Sequence, residues 1–141
     1  MASTSTRTFA LYPALVLAEQ ALARRRLHPR WLAVMGAGYG LYRLAGSYRI
    51  RRAGGPPGMS QGMPERVVDT GLYAVTRNPM YLGHMVFLAG LTLLTRSPIA
   101  AAVLTTVVPW FDDRAAHDER RLEEAFGAEY VAYRDRVPRW L

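Results

Sequence analysis

Four apolar runs alternate with polar and basic stretches along the chain: Phe9–Ala23, Trp31–Gly46, Met80–Leu94 and Pro98–Phe111. Pro13 interrupts the first run early and Glu19-Gln20 late, while the second contains Gly36, Gly38 and Gly40. The third and fourth are apolar around the whole helical circumference, with His84 and a few threonines as exceptions, so neither has a solvent face. The turn-like Thr95-Arg96-Ser97-Pro98 separates them. A charged stretch, Asp112–Phe126, continues the fourth run as helix and stops at Gly127, the usual residue just past a helix end. Ala128–Arg136 is again helix-like, and Pro138 ends it. The pattern predicts an all-α chain.

The runs are 14 to 16 residues long, whereas a membrane-spanning helix needs ~20. Flanking side chains extend such runs by snorkelling and interfacial anchoring: Arg30, Trp31, Arg43, Tyr81, Arg96 and Trp110. Gly36 and Gly40 form a small-xxx-small pair suited to close helix packing in lipid. The expected fold is therefore an integral membrane helical bundle. It has about four short membrane helices (9–23, 31–46, 80–94, 98–111), cytoplasmic helices over 112–136, and a single domain over 1–141. The first run has the alternative of lying in the interface. Ala53–Met63, rich in Gly and Pro, is expected to be an irregular loop.

Charge sharpens this. Of 141 residues half are apolar, and the 18 cationic side chains are all arginine, giving a net charge of +7. They gather at the ends of the apolar runs rather than along one polar face, which suits a membrane protein better than a nucleic-acid binder. With four spans, the N-terminus, the Arg43–Arg77 connection and the tail share the arginine-rich side, expected to be cytoplasmic and, in a bacterium, to face inward from the inner membrane. Cysteine is absent, which excludes disulfides, thiolate metal sites and a Cys nucleophile. The first 26 residues lack a small-residue cleavage site after an apolar core, so they read as a first helix rather than a removed signal.

The candidate chemistry centres on Asp69–Gly90, DTGLYAVTRNPMYLGHMVFLAG. Asn is a preferred N-cap and Pro is tolerated at the first helical position, so Asn78-Pro79 predicts a helix start at a polar–apolar boundary, with Arg77 just outside. Such a start, with its free N–H groups and positive partial charge, suits an anionic ligand group.

TGLYAVTRNPMYLG, two apolar segments and then DERRLEEAFGAEYVAYRDRVPRWL resemble the isoprenylcysteine carboxyl methyltransferase family, membrane enzymes related to the phospholipid methyltransferases. The matching positions are Gly71, Tyr73, Arg77, Pro79, Tyr81, Gly83, Asp118-Glu119, Phe126-Gly127, Tyr130, Tyr133 and Val137-Pro138, from about Val67 to the C-terminus. The resemblance implies methyl transfer dependent on S-adenosylmethionine at the cytoplasmic membrane face, with a lipophilic acceptor. It assigns cofactor binding to Glu65, Arg66, Val67, Val68, Tyr73, Asn78, Pro79, Met80, Tyr81 and Asp118, and the acceptor-side arginine to Arg114; Arg77, beside the helix start, is the expected partner for the cofactor's carboxylate. This chain departs from the family pattern at two positions, with Asn78 where the family has His and Asp118 where it has Glu. A carboxylate acceptor needs no general base, and Arg114 is expected to hold it bidentately. An amine or thiol acceptor, as in a phospholipid, needs a base, for which Glu119 is the candidate. The competing reading is a non-catalytic membrane module that has kept the fold.

The remaining polar residues carry less. His84 reads as packing, and Glu19 as a candidate intramembrane acid or a lipid-boundary residue. No metal cluster, phosphate loop or GxGxxG fingerprint occurs in the sequence.

Overall fold

A computed structural model of the chain describes residues 3–56, 59 and 62–141. The described residues form helices and no strands: α1 (Thr4–Thr6), a π-helical turn Arg7–Leu11, α2 (Tyr12–Leu22), a 3-10 turn Pro29–Trp31 and α3 (Leu32–Ala53). A second 3-10 turn Gly71–Ala74, α4 (Pro79–Thr95), α5 (Pro98–Phe126) and α6 (Ala128–Arg136) follow. The all-α expectation holds. Part of the expected Ala53–Met63 loop lies outside the described residues.

The helix boundaries follow local chemistry. α4 begins at Pro79, and Leu82 N–H donates to Asn78 O at 3.0 Å, so Asn78 occupies the cap position. Ser97 caps α5 by accepting from Ala100 N–H at 3.2 Å. Gly127 takes φ +53 between α5 and α6, the left-handed region where glycine has no Cβ penalty. α3 runs on past the expected Gly46 to Ala53, because Tyr48-Arg49-Ile50-Arg51-Arg52 contains good helix formers although its apolar run has ended.

No helix among the described residues is long and apolar enough to cross a membrane. The expectation of four membrane helices is corrected to this extent. α4 has 17 residues, ~25 Å at 1.5 Å each, and α3 is longer but carries Arg43, Arg49, Arg51 and Arg52.

The chain divides into two compact units. The first comprises residues 1–40 and 83–110. Its core is Val16, Phe87, Leu88, Leu91 and Ala100, with Phe9, Tyr12, Met35, Val103, Leu104 and Val107 packed around it. Helices α3 and α4 approach closely at Gly38, where an added Cβ would lie 2.4 Å from Phe87 N and 2.8 Å from Gly83 O. Gly36 and Gly40, the pair expected to make this contact, have nothing within 4 Å of such a Cβ. Glu19 is an ordinary structural residue here: Ser97 Oγ donates to it at 2.5 Å and Arg25 pairs with it at 3.1 Å. His84 is buried and stacks on Phe9 with ring centroids 4.7 Å apart.

The second unit comprises residues 41–82 and 111–141. Two apolar clusters support it. One is Ala45, Ala53, Val68 and Tyr73; the other is Tyr130, Tyr133 and Val137, with Val67, Leu122 and Phe126 against it.

Candidate active site

Every residue assigned a chemical role from the sequence lies in the second unit, and its geometry separates them into three settings. The first is Glu119, 7% exposed. Its Oε1 accepts from Arg77 Nε (3.3 Å), Arg139 Nε (3.2 Å) and Asn78 Nδ2 (3.0 Å). Its Oε2 accepts from Arg77 Nη2 (3.0 Å) and Arg139 Nη2 (3.1 Å). Two guanidinium forks thus clamp one carboxylate. Burial pushes the Glu119 carboxyl up, but the bonds from Arg139, Arg77 and Asn78 outweigh it and hold the group below its ordinary range. Arg77 is spent as well: its Nη1 donates to Arg134 O (2.9 Å) and Val137 O (2.8 Å), and its N–H to Pro138 O (3.0 Å). Arg77, expected to form an anion site with the helix start, thus has its guanidinium engaged by groups of the chain itself.

The second setting is Asp118, 3% exposed. Tyr81 Oη donates to its Oδ2 at 2.5 Å. Its Oδ1 has Arg114 Nε at 3.6 Å and Arg121 Nη1 at 3.8 Å, within ion-pair range but not bonded. Oδ1 finds no hydrogen-bond partner among the described residues. A buried acceptor in that condition costs about 1–3 kcal/mol unless a ligand supplies the donor. The Tyr81 ring packs on Phe111 with centroids 5.2 Å apart.

The third setting is a cavity of about 40 Å³ lined by Arg66, Val67, Val68, Tyr73, Arg77 and Asn78 among the expected residues, with Arg49, Pro64, Leu122, Tyr130 and Tyr133. Burial pushes the Tyr73 hydroxyl up to about 12, with Arg49 pulling it partly back, and burial likewise raises Tyr130 and Tyr133. All three are neutral at physiological pH. Tyr73 Oη donates to Ala45 O at 3.4 Å, and Tyr133 Oη to Tyr73 O at 2.8 Å. Of the other expected residues, Glu65 is exposed, with its N–H on Ala53 O at 2.8 Å. Pro79 is buried. Met80 lines a separate open cleft of about 270 Å³ with Tyr42, Arg43, Gly46, Ser47 and Ile50.

Sequence reasoning missed Arg139 and Arg49. Arg139 clamps Glu119, pairs with Asp112 at 3.2 Å, and through its carbonyl accepts from Thr76 Oγ1 at 2.8 Å. Its position beside the Val137-Pro138 ending was the available signal. Arg49, 8% exposed, stood among many arginines with nothing to mark it.

A buried unsatisfied carboxylate oxygen beside two guanidiniums, with tyrosines nearby, is a set of groups able to bind a small charged molecule rather than a metal. Among the described residues no cluster fits a metal ion. The chain belongs to the phospholipid methyltransferase family, whose model matches residues 33–129. The resemblance to isoprenylcysteine methyltransferases holds across the curated relatives. The chain is 34% identical over 74 residues to protein-S-isoprenylcysteine O-methyltransferase B of Arabidopsis thaliana, covering 52% of this chain and 38% of that protein. It is 36% identical over 72 residues to the Saccharomyces cerevisiae protein-S-isoprenylcysteine O-methyltransferase, covering 50% and 30% respectively. Against the human protein of the same name it is 36% identical over 73 residues, covering 51% and 26%. The match thus spans well under half the length of these relatives. No solved structure matches the chain significantly.

Proposed function

We propose that this chain is a methyltransferase that uses S-adenosylmethionine and methylates the carboxylate of a lipophilic acceptor at a membrane face. The observation that carries the reading is Asp118, a buried carboxylate with one oxygen held by Tyr81 and the other lacking a donor, at a position the family resemblance assigns to the cofactor. Bound there, the cofactor supplies an electrophilic sulfonium methyl group. Asp118 Oδ1 would accept a hydrogen bond from it, and the Tyr73 and Tyr81 rings offer faces that attract a cation. Arg114, one turn before Asp118, would hold the acceptor carboxylate and orient its oxygen toward the methyl. Glu119 takes a positioning role: with both oxygens occupied by Arg77, Arg139 and Asn78, it is not free to accept a proton. A carboxylate acceptor is already ionised at neutral pH and needs no base. The state of Glu119 therefore favours a carboxylate over a phospholipid amine or a thiol.

The membrane setting rests on exposed apolar side chains in the first unit. Leu11, Leu15, Leu22, Leu32, Leu93, Ile99, Val108 and Trp110 are all more than a third exposed, and apolar side chains left facing outward are available for lipid contact. Lipid contact through these residues, with the arginine-rich segments facing the cytoplasm, suits an acceptor that arrives from the bilayer.

The test is a thermal shift of detergent-purified protein with S-adenosylmethionine and S-adenosylhomocysteine, followed by methyl incorporation into an S-prenylated N-acetylcysteine and into phosphatidylethanolamine. Ligand at 100 times its dissociation constant stabilises by ~2.7 kcal/mol. A shift lost in Asp118→Ala, with methylation of the prenylcysteine, is the expected result. No shift at millimolar ligand on folded protein would overturn the reading and leave the non-catalytic module.

A further inference from the structure

The cavity beside Tyr73 contains an arginine that neither the sequence motif nor the ion-pair network accounts for. Arg49 is 8% exposed on α3 and donates through Nη2 to Pro56 O at 2.9 Å. Its Nε finds no hydrogen-bond partner among the described residues. Among those residues no carboxylate pairs with it, and none lines the cavity. A buried guanidinium without a counter-charge is costly, and among the described residues no acid lies within ion-pair distance to offset it. The other cation drawn deep into this cavity, Arg77, is already neutralised by Glu119 at 3.0 Å. The hydroxyls of Tyr73, Tyr130 and Tyr133 stay protonated, so they add no negative charge. What the cavity lacks is an anion. Its volume, about 40 Å³, exceeds what one water needs and suits a group of carboxylate size, not a nucleoside.

We propose that Arg49 anchors a ligand carboxylate in this cavity, and that the carboxylate belongs to the amino-acid end of the methyl donor. The assignment rests on the methyltransferase reading above. It takes over the task expected of Arg77, which the structure gives to Glu119 instead. The donor is chosen over the acceptor as source because Val67, Val68, Tyr73 and Asn78, which line the cavity, fall on cofactor positions, whereas Arg114 does not line it.

The test compares two nucleosides on the purified full chain by calorimetry: S-adenosylhomocysteine, which carries the amino-acid carboxylate, and 5′-methylthioadenosine, which lacks it. Arg49→Met is expected to weaken S-adenosylhomocysteine at least tenfold while leaving 5′-methylthioadenosine within about twofold, since a charge-assisted bond is lost only from the first. Arg49→Lys, which keeps the charge but not the fork, should fall between. It decides the matter if the Met variant does not fold. An unchanged ratio of the two affinities in a folded variant overturns the inference, as does equal weakening of both. Unchanged nucleoside binding with a raised KM for the prenylcysteine would give the cavity to the acceptor and also overturn it. Wild-type protein that binds neither nucleoside would instead refute the methyltransferase reading itself.

Discussion

Asp118 and Glu119 are adjacent in sequence, yet the structure gives them separate partners: Tyr81, Arg114 and Arg121 for the first, Arg77, Asn78 and Arg139 for the second. Glu119 is saturated and Asp118 has an oxygen to spare. The acidic pair therefore divides into a residue that holds the fold and a residue that is available to a ligand.

Substitution should expose this division directly. Glu119→Gln removes the counter-charge from two guanidiniums, one of them with only 10% of its side chain exposed, and breaking a buried pair in this way costs about 3 kcal/mol or more. A markedly lower melting temperature without ligand is the expected reading. Asp118→Asn keeps the Tyr81 acceptor and frees two arginines that are about one-third exposed, so its ligand-free melt should shift by no more than ~1 kcal/mol. Its loss should appear in the ligand-induced shift. A stable Glu119→Gln protein would refute the division.

The same carboxylate sets an acid limit. Glu119 titrates below its ordinary 4.5 in the folded chain, so unfolding must raise its proton affinity. Its stabilisation is present in full above 4.5 and is lost as pH falls through the lower folded-state value. Acid denaturation followed by circular dichroism should therefore be shallower below pH 4.5 in Glu119→Gln than in the wild type. Parallel curves would count against it.

In the first unit, three glycines on one helix should respond in opposite senses. Gly38→Ala forces a methyl against the backbone of Phe87, 2.4 Å away, and should cost roughly 1–3 kcal/mol as overpacking. Gly36→Ala and Gly40→Ala meet nothing within 4 Å and should gain about 0.5–1 kcal/mol from helix propensity. Thermal melts of the three variants in the same detergent decide it. Equal behaviour would mean that the close approach lies elsewhere.

These cases mark how far the chain could be read before it was folded. The start of α4 at Pro79 and the stop at Gly127 were legible, because capping is written in two or three consecutive residues. The choice of Gly38 over Gly36 and Gly40 was not, because periodicity fixes which residues share a face but not which face meets a neighbour. Arg77 reads as a ligand group because it stands beside a helix start; its pairing with Glu119, 42 residues away, leaves no local trace in the sequence. Arg49 had no local mark at all. Its burial is a property of the packed second unit, and one arginine among 18 carries no label. The α-helical class came from the hydrophobic pattern, while the extent of α3 came from propensity where the pattern had ended.

The tie between Arg77 and the chain's last turn orders events in time. Arg77 Nη1 reaches Val137 O across 60 residues, Thr76 reaches Arg139 O across 63, and Glu119 waits for Arg139 across 20. Local helices form in microseconds, but closures of this span wait on the rest of the chain. During synthesis, α4 is translated well before residue 139. A chain made only as far as Glu119 would have Arg77 and Asn78 to hold that carboxylate but not yet Arg139. The Glu119 network is complete only when Arg139 has been made and has folded back onto it.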